Sequence, residues 1–105
     1  MDFYQAILAE TGYKPKTTFW MDFTIADKFG RKAIEDTYKR AFNEWKNNAE
    51  YITELAMVLN WKSWSYAETN PAIGVIYQDL WEELDSWCFA NLKDDALQYY
   101  IKTTD

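Results

Sequence analysis

The stretch Arg31–Ala67, RKAIEDTYKRAFNEWKNNAEYITELAMVLNWKSWSYA, decides the fold. From Ile34, apolar residues return at Tyr38, Ala41, Phe42 and Trp45, a spacing that puts them on one side of an α-helix. Asn47 and Asn48 break that helix, and a second is expected from about Ala49 to Ala67. Ile52, Leu55, Ala56 and Leu59 share one face of the second helix, and Met57, Val58 and Trp61 widen its apolar arc. A broad arc calls for neighbours on several sides, so this is the expected central helix.

Towards the C-terminus, Asn70 followed by Pro71 reads as a helix start, because proline at the first helical position gives up an N–H that has no partner there. The helix is expected to reach about Asn91, with Ile73, Ile76, Tyr77, Leu80, Trp81, Leu84, Trp87 and Cys88 on its buried stripe. Asp94 and Asp95 complement the dipole of a short last helix carrying Ala96, Leu97, Tyr100 and Ile101, and Thr103, Thr104 and Asp105 are expected to form a frayed tail.

Towards the N-terminus, Asp2 and Gly12 bracket a short helix, Phe3–Thr11, and Lys14, Pro15 and Lys16 make an exposed connection. In TTFWMDFT, Thr17–Thr24, Phe19, Met21 and Phe23 alternate as in a strand, yet no second strand is available for pairing, so the segment is expected to be extended or loop. Thr24 with Asp27 resembles a capping box for a short helix that ends at Gly30. The fold class that follows is all-α: one compact domain, residues 1–105, of about five to six helices, three of them long, with a short extended or loop segment near residues 17–24.

Composition narrows the chemistry. The chain has no histidine, which removes the commonest general base and the commonest transition-metal ligand. Its one cysteine, Cys88, lies between Trp87 and Phe89 and reads as a small buried hydrophobe. Gly12, Gly30 and Gly74 are too dispersed to cradle a phosphate. No catalytic residue, metal site or cofactor is assigned, and the chain is not expected to be an enzyme. Asp2 stands where a signal peptide carries basic residues, and no apolar run approaches the roughly 20 residues of a membrane span. A bacterial cytoplasmic protein without membrane contact is the expectation.

Charge is unevenly spread. Residues up to Asn47 carry seven acids and eight bases, whereas those from Asn48 onward carry ten acids and three bases, a net of −7. Asp79, Glu82 and Glu83 fall on one edge of the long helix with Asp85 nearby, and Asp94 and Asp95 extend the acidity beyond it, with Glu68 before it. Glu50 and Glu54, four apart on the preceding helix, read as part of a solvated face. The acidic edge is the candidate partner-binding surface, presenting negative charge to a basic groove.

Two other features bear on partners. Lys28, Arg31, Lys32, Lys39 and Arg40 form a basic face, interrupted by Glu35 and Asp36, which are expected to pair with Lys39 and Arg40; direct nucleic-acid binding through this face ranks below the acidic reading. Of six tryptophans, Trp45, Trp81 and Trp87 fall on apolar stripes, while Trp64, within WKSWSY, and Trp20 are the candidates for a partner surface.

The stretches AIEDTYKRAFNEWKNNAEYITELAMVLNWKSW, Ala33–Trp64, and NLKDDALQYYIKTTD, Asn91–Asp105, resemble small acidic helical proteins of conjugative elements and phages of Gram-positive bacteria. In that setting the chain is similar in size and character to anti-CRISPR proteins, which inhibit the type II RNA-guided nuclease. The resemblance implies a non-catalytic inhibitor that binds a host CRISPR nuclease and blocks guide RNA or DNA binding through the acidic helical surface. The competing readings are a self-associating accessory or regulatory protein of such an element, a homo-oligomer, and a nucleic-acid-binding module using the 28–40 face.

Overall fold

The Asp2 carboxylate accepts the Gln5 amide at 2.8 Å and opens the first helix, and Gly12, at φ 70°, closes it in the left-handed conformation that glycine adopts without steric cost. The computed structural model describes residues 2–104. Every helix or strand element among them is an α-helix: α1 (Phe3–Thr11), α2 (Phe19–Asp27), α3 (Arg31–Trp45), α4 (Ala49–Tyr66), α5 (Pro71–Asn91) and α6 (Asp94–Thr104). This is the all-α single-domain bundle that the periodicity implies.

α4 is the central element. Every residue from Ile52 to Leu59 is buried, because α2, α3, α5 and α6 all pack around it. Asn48 caps α4 by accepting the Tyr51 amide, and Asn70 does the same for α5 through Ile73, with Pro71 at the first helical position. A Cβ built on Gly74 would stand 3.4 Å from the Ser63 carbonyl oxygen, so α5 crosses α4 with the two backbones close together.

The core is filled by Phe23, Ile34, Ile52, Leu55, Leu59, Tyr77, Leu84 and Tyr100, all fully buried. Each contributes on the order of 1.5–3 kcal/mol from its apolar surface. Cys88 is buried among them, and burial pushes its thiol up to about 12. Trp61 is buried, and Trp45, Trp81 and Trp87 pack partly buried against the core.

The segment expected to be extended is helical. Phe19, Phe23 and Ala26 follow a helical spacing and face the core, while Met21 and Ile25 lie on the opposite face of the same helix. Apolar residues on both faces produced the strand-like alternation, and hydrogen bonding within one helix removes the need for a pairing strand. Thr24 is therefore no cap. It lies within α2, donates to the Trp20 carbonyl, and accepts from Lys62. The expected frayed tail is also corrected: Thr103 and Thr104 continue α6, whereas Asp105 lies outside the described residues.

Candidate interaction surface

Two carboxylates that sequence does not distinguish from solvated ones are interior. Glu54, expected on a solvated face, is 1% exposed. It accepts the Tyr13 hydroxyl at 2.7 Å, the Lys16 amide at 2.7 Å, and the Thr17 amide at 3.0 Å as well as the Thr17 hydroxyl. Two turns along α4, Lys62 is 2% exposed. Its ammonium lies 3.0 Å from Asp27, donates to Thr24 at 2.6 Å and sits 4.3 Å above the Trp20 ring. Asp27 also accepts the hydroxyls of Tyr66 and Tyr77.

These groups fasten the segment from Tyr13 to Asp27 onto α4 and α5. Burial lowers the Lys62 pKa, against the opposing hydrogen bond and charge of Asp27. Burial, then the hydrogen bond to Asp27, raises both phenols, Tyr66 to about 12 and Tyr77 further. Tyr13 is raised in the same way, by burial and then by Glu54. The buried side chains of Glu54, Lys62 and Asp27 are all hydrogen-bonded or paired, which is the arrangement of a structural fastening.

The acids of α5 are placed differently. Asp79, Glu82 and Glu83 are brought together on its outward face, with Val75 and Phe89 exposed at either end of the same face. Among the described residues none of the three has a cation within ion-pair distance; the ion pairs found engage Glu50, Glu35, Asp36 and Asp27. Asp94 and Asp95 are exposed at the start of α6, where Asp94 adopts φ 53°. Asp85 does not join this face. It accepts the Tyr100 hydroxyl and ties α5 to α6.

The two tryptophans singled out for a partner surface divide as well. Trp64 is 57% exposed near the end of α4. Trp20 is half-buried, its ring stacked on Tyr4 at 4.4 Å and approached by the Lys62 ammonium at 4.3 Å. The basic face is partly neutralised within α3, though not by the expected pairs: Glu35 meets Arg31 at 3.9 Å and Asp36 meets Lys32 at 3.2 Å.

One surface escaped the sequence reading. Met21, Ile25 and Phe29 recur four residues apart along the outer side of α2 and its C-terminal turn, and Phe29 is 76% exposed. Ile25 and Phe29 border a cleft of about 990 Å³ between α2 and α3, which Ala33, Ala41 and Trp45 line on the α3 side. Read from sequence, Met21 falls in an extended segment and Ile25 and Phe29 in a separate short helix, so the stripe is divided between two elements that the structure joins in α2 and its C-terminal turn. Among the described residues, no group of three or more histidine, cysteine, aspartate or glutamate side chains is placed to hold a metal ion, and no helix is long and apolar enough to cross a membrane. No family model, curated protein or solved structure matches the chain.

Proposed function

We propose that the chain works as a non-catalytic binding protein whose acidic α5 face docks on a positively charged groove of a macromolecular partner. The observation that carries this reading is the outward cluster Asp79, Glu82 and Glu83, free of ion-pair partners among the described residues while the interior acids are fully engaged. Solvated carboxylates of one sign steer association with a basic surface, and the exposed apolar side chains Val75 and Phe89 add contact area. Trp64, Asp94 and Asp95 are also exposed and complete the set of candidate contacts.

The resemblance to small acidic proteins of mobile elements makes a type II CRISPR nuclease the first partner to test, since its guide and target occupy positively charged channels. Binding of the purified protein to guide-free nuclease, measured by interferometry with and without guide RNA, tests it. Binding that guide RNA competes away supports a block at guide loading, and binding that survives guide but is lost with target DNA supports a block at DNA recognition. No binding at micromolar concentrations rejects the nuclease as partner.

A second reading has its own observation: the apolar stripe Met21, Ile25 and Phe29 is open to solvent, as the surface of a self-associating protein would be. Light scattering separates the two, because self-association through α2 gives a stable oligomer that Phe29→Glu dissociates.

A further inference from the structure

A second cavity, of about 470 Å³, opens between α3 and α5. Its size falls in the range of small-ligand sites. Three aromatic side chains line it. Tyr38 and Phe42 of α3 present nearly parallel rings, 26° apart, with centroids 6.1 Å apart; Trp87 of α5 stands almost perpendicular to Phe42, at 85° and 4.9 Å. Two carboxylates, Glu35 and Glu83, line the same cavity, one from each helix. Burial, and after it the Glu83 charge, raises the Tyr38 hydroxyl well above the usual phenol value.

We propose that this cavity is a binding site for a weakly hydrated organic cation, a quaternary ammonium or a guanidinium, held by the rings of Tyr38, Phe42 and Trp87 and by the charges of Glu35 and Glu83. Aromatic faces attract a cation within about 6 Å and do so best when the cation gives up little hydration. Among the described residues no group of three or more aspartate, glutamate, histidine or cysteine side chains converges here as a metal site would require. Glu35 already meets Arg31, but a neutral apolar ligand would leave Glu83, which has no ion pair among the described residues, uncompensated. Lys39 stands on the lining as well and makes no ion pair among the described residues. It is the internal competitor: its ammonium opposes an incoming cation, whereas Glu83, without an ion pair among the described residues, attracts one, and Glu35 shares its charge with Arg31.

The site goes beyond the docking role proposed for α5 and shares Glu83 with it, so cation binding is measured on the free chain, where its failure leaves the docking reading standing. The test is a titration of the full chain with choline and, separately, with N-acetyl-arginine amide, read by NMR at the Trp87 indole N–H and assigned with Trp87→Phe. Shifts that saturate at millimolar cation are expected. Glu83→Gln should weaken binding about tenfold. Lys39→Gln should strengthen it, an opposite response that a purely structural role for either residue does not produce. The better of the two probes assigns the source, a free quaternary ammonium or an arginine side chain of a protein. The proposal is overturned if neither cation shifts Trp87, if the uncharged choline isostere 3,3-dimethyl-1-butanol binds equally well, or if Glu83→Gln and Lys39→Gln both leave the affinity unchanged.

Discussion

Asp27 and Glu54 on one hand and Asp79, Glu82 and Glu83 on the other are the same chemistry put to opposite uses. The first two are enclosed, and each gathers three or more donors from residues at least 35 positions away along the chain. The other three stand outward on α5 with no cation partner among the described residues. Burying a charge costs several kcal/mol unless partners replace the lost water, so an interior carboxylate is committed to the fold. A carboxylate left in water costs the fold almost nothing and keeps its charge available to a partner.

The sharpest way to break the comparison is to remove an interior acid. Asp27→Ala leaves the Lys62 ammonium buried without its counter-charge and two tyrosine hydroxyls without their acceptor. A loss of about 3–5 kcal/mol is expected in urea unfolding, and Glu54→Ala should fall in the same range. A cost below 1 kcal/mol for both, on the order of an exposed charge, would show that the enclosed clusters do not hold the Tyr13–Asp27 segment.

Alkaline pH attacks the same clusters from the donor side. The phenols of Tyr13, Tyr66 and Tyr77 are raised by burial and by their carboxylate partners, so the folded state keeps its protons where unfolded tyrosines, near 10, lose theirs. A folded pKa above the unfolded one gives stability that is complete below about pH 10 and drains away as pH climbs towards the folded values. The urea midpoint should therefore fall between pH 9 and pH 11.5, by more than it falls in a Tyr66→Phe/Tyr77→Phe variant. Equal midpoints at the two pH values would contradict the assignment.

A smaller effect is expected beside Glu54. Thr53 is fully buried, and its hydroxyl is the one buried side-chain polar atom left without a hydrogen-bond partner among the described residues. Replacing an unsatisfied hydroxyl by a methyl group removes a desolvation cost, so Thr53→Val should raise the thermal midpoint, by about 1 kcal/mol in free energy. A drop in midpoint would mean that the hydroxyl is satisfied in solution.

Much of the fold was legible because α3, α4 and α5 are long and periodic, with Asn48 and Asn70 marking the starts of α4 and α5. The short α2 was not, because apolar residues on both of its faces mimic a strand locally, and only the packing of Phe19, Phe23 and Ala26 against the core settles its period. The site was legible in part. Asp79, Glu82 and Glu83 share a helical edge at any burial, so spacing sufficed for them. Asp85, Trp20 and Glu54 were misplaced, since their partners Tyr100, Lys62 and Tyr13 lie 15, 42 and 41 residues away. No local pattern encodes such a meeting. The same distance hid the cavity between Tyr38, Phe42 and Trp87.

The affinity of the Asp79→Lys/Glu82→Lys/Glu83→Lys variant for the nuclease, set beside that of the unaltered protein, is the most direct trial of the acidic face. Because all three side chains are exposed, the variant should keep its helical circular dichroism and lose less than about 1 kcal/mol of stability. If α5 is the docking surface, binding should weaken at least a hundredfold, as reversal turns attraction into repulsion. A folded variant that binds as tightly as the original would remove the acidic face of α5 from the interaction.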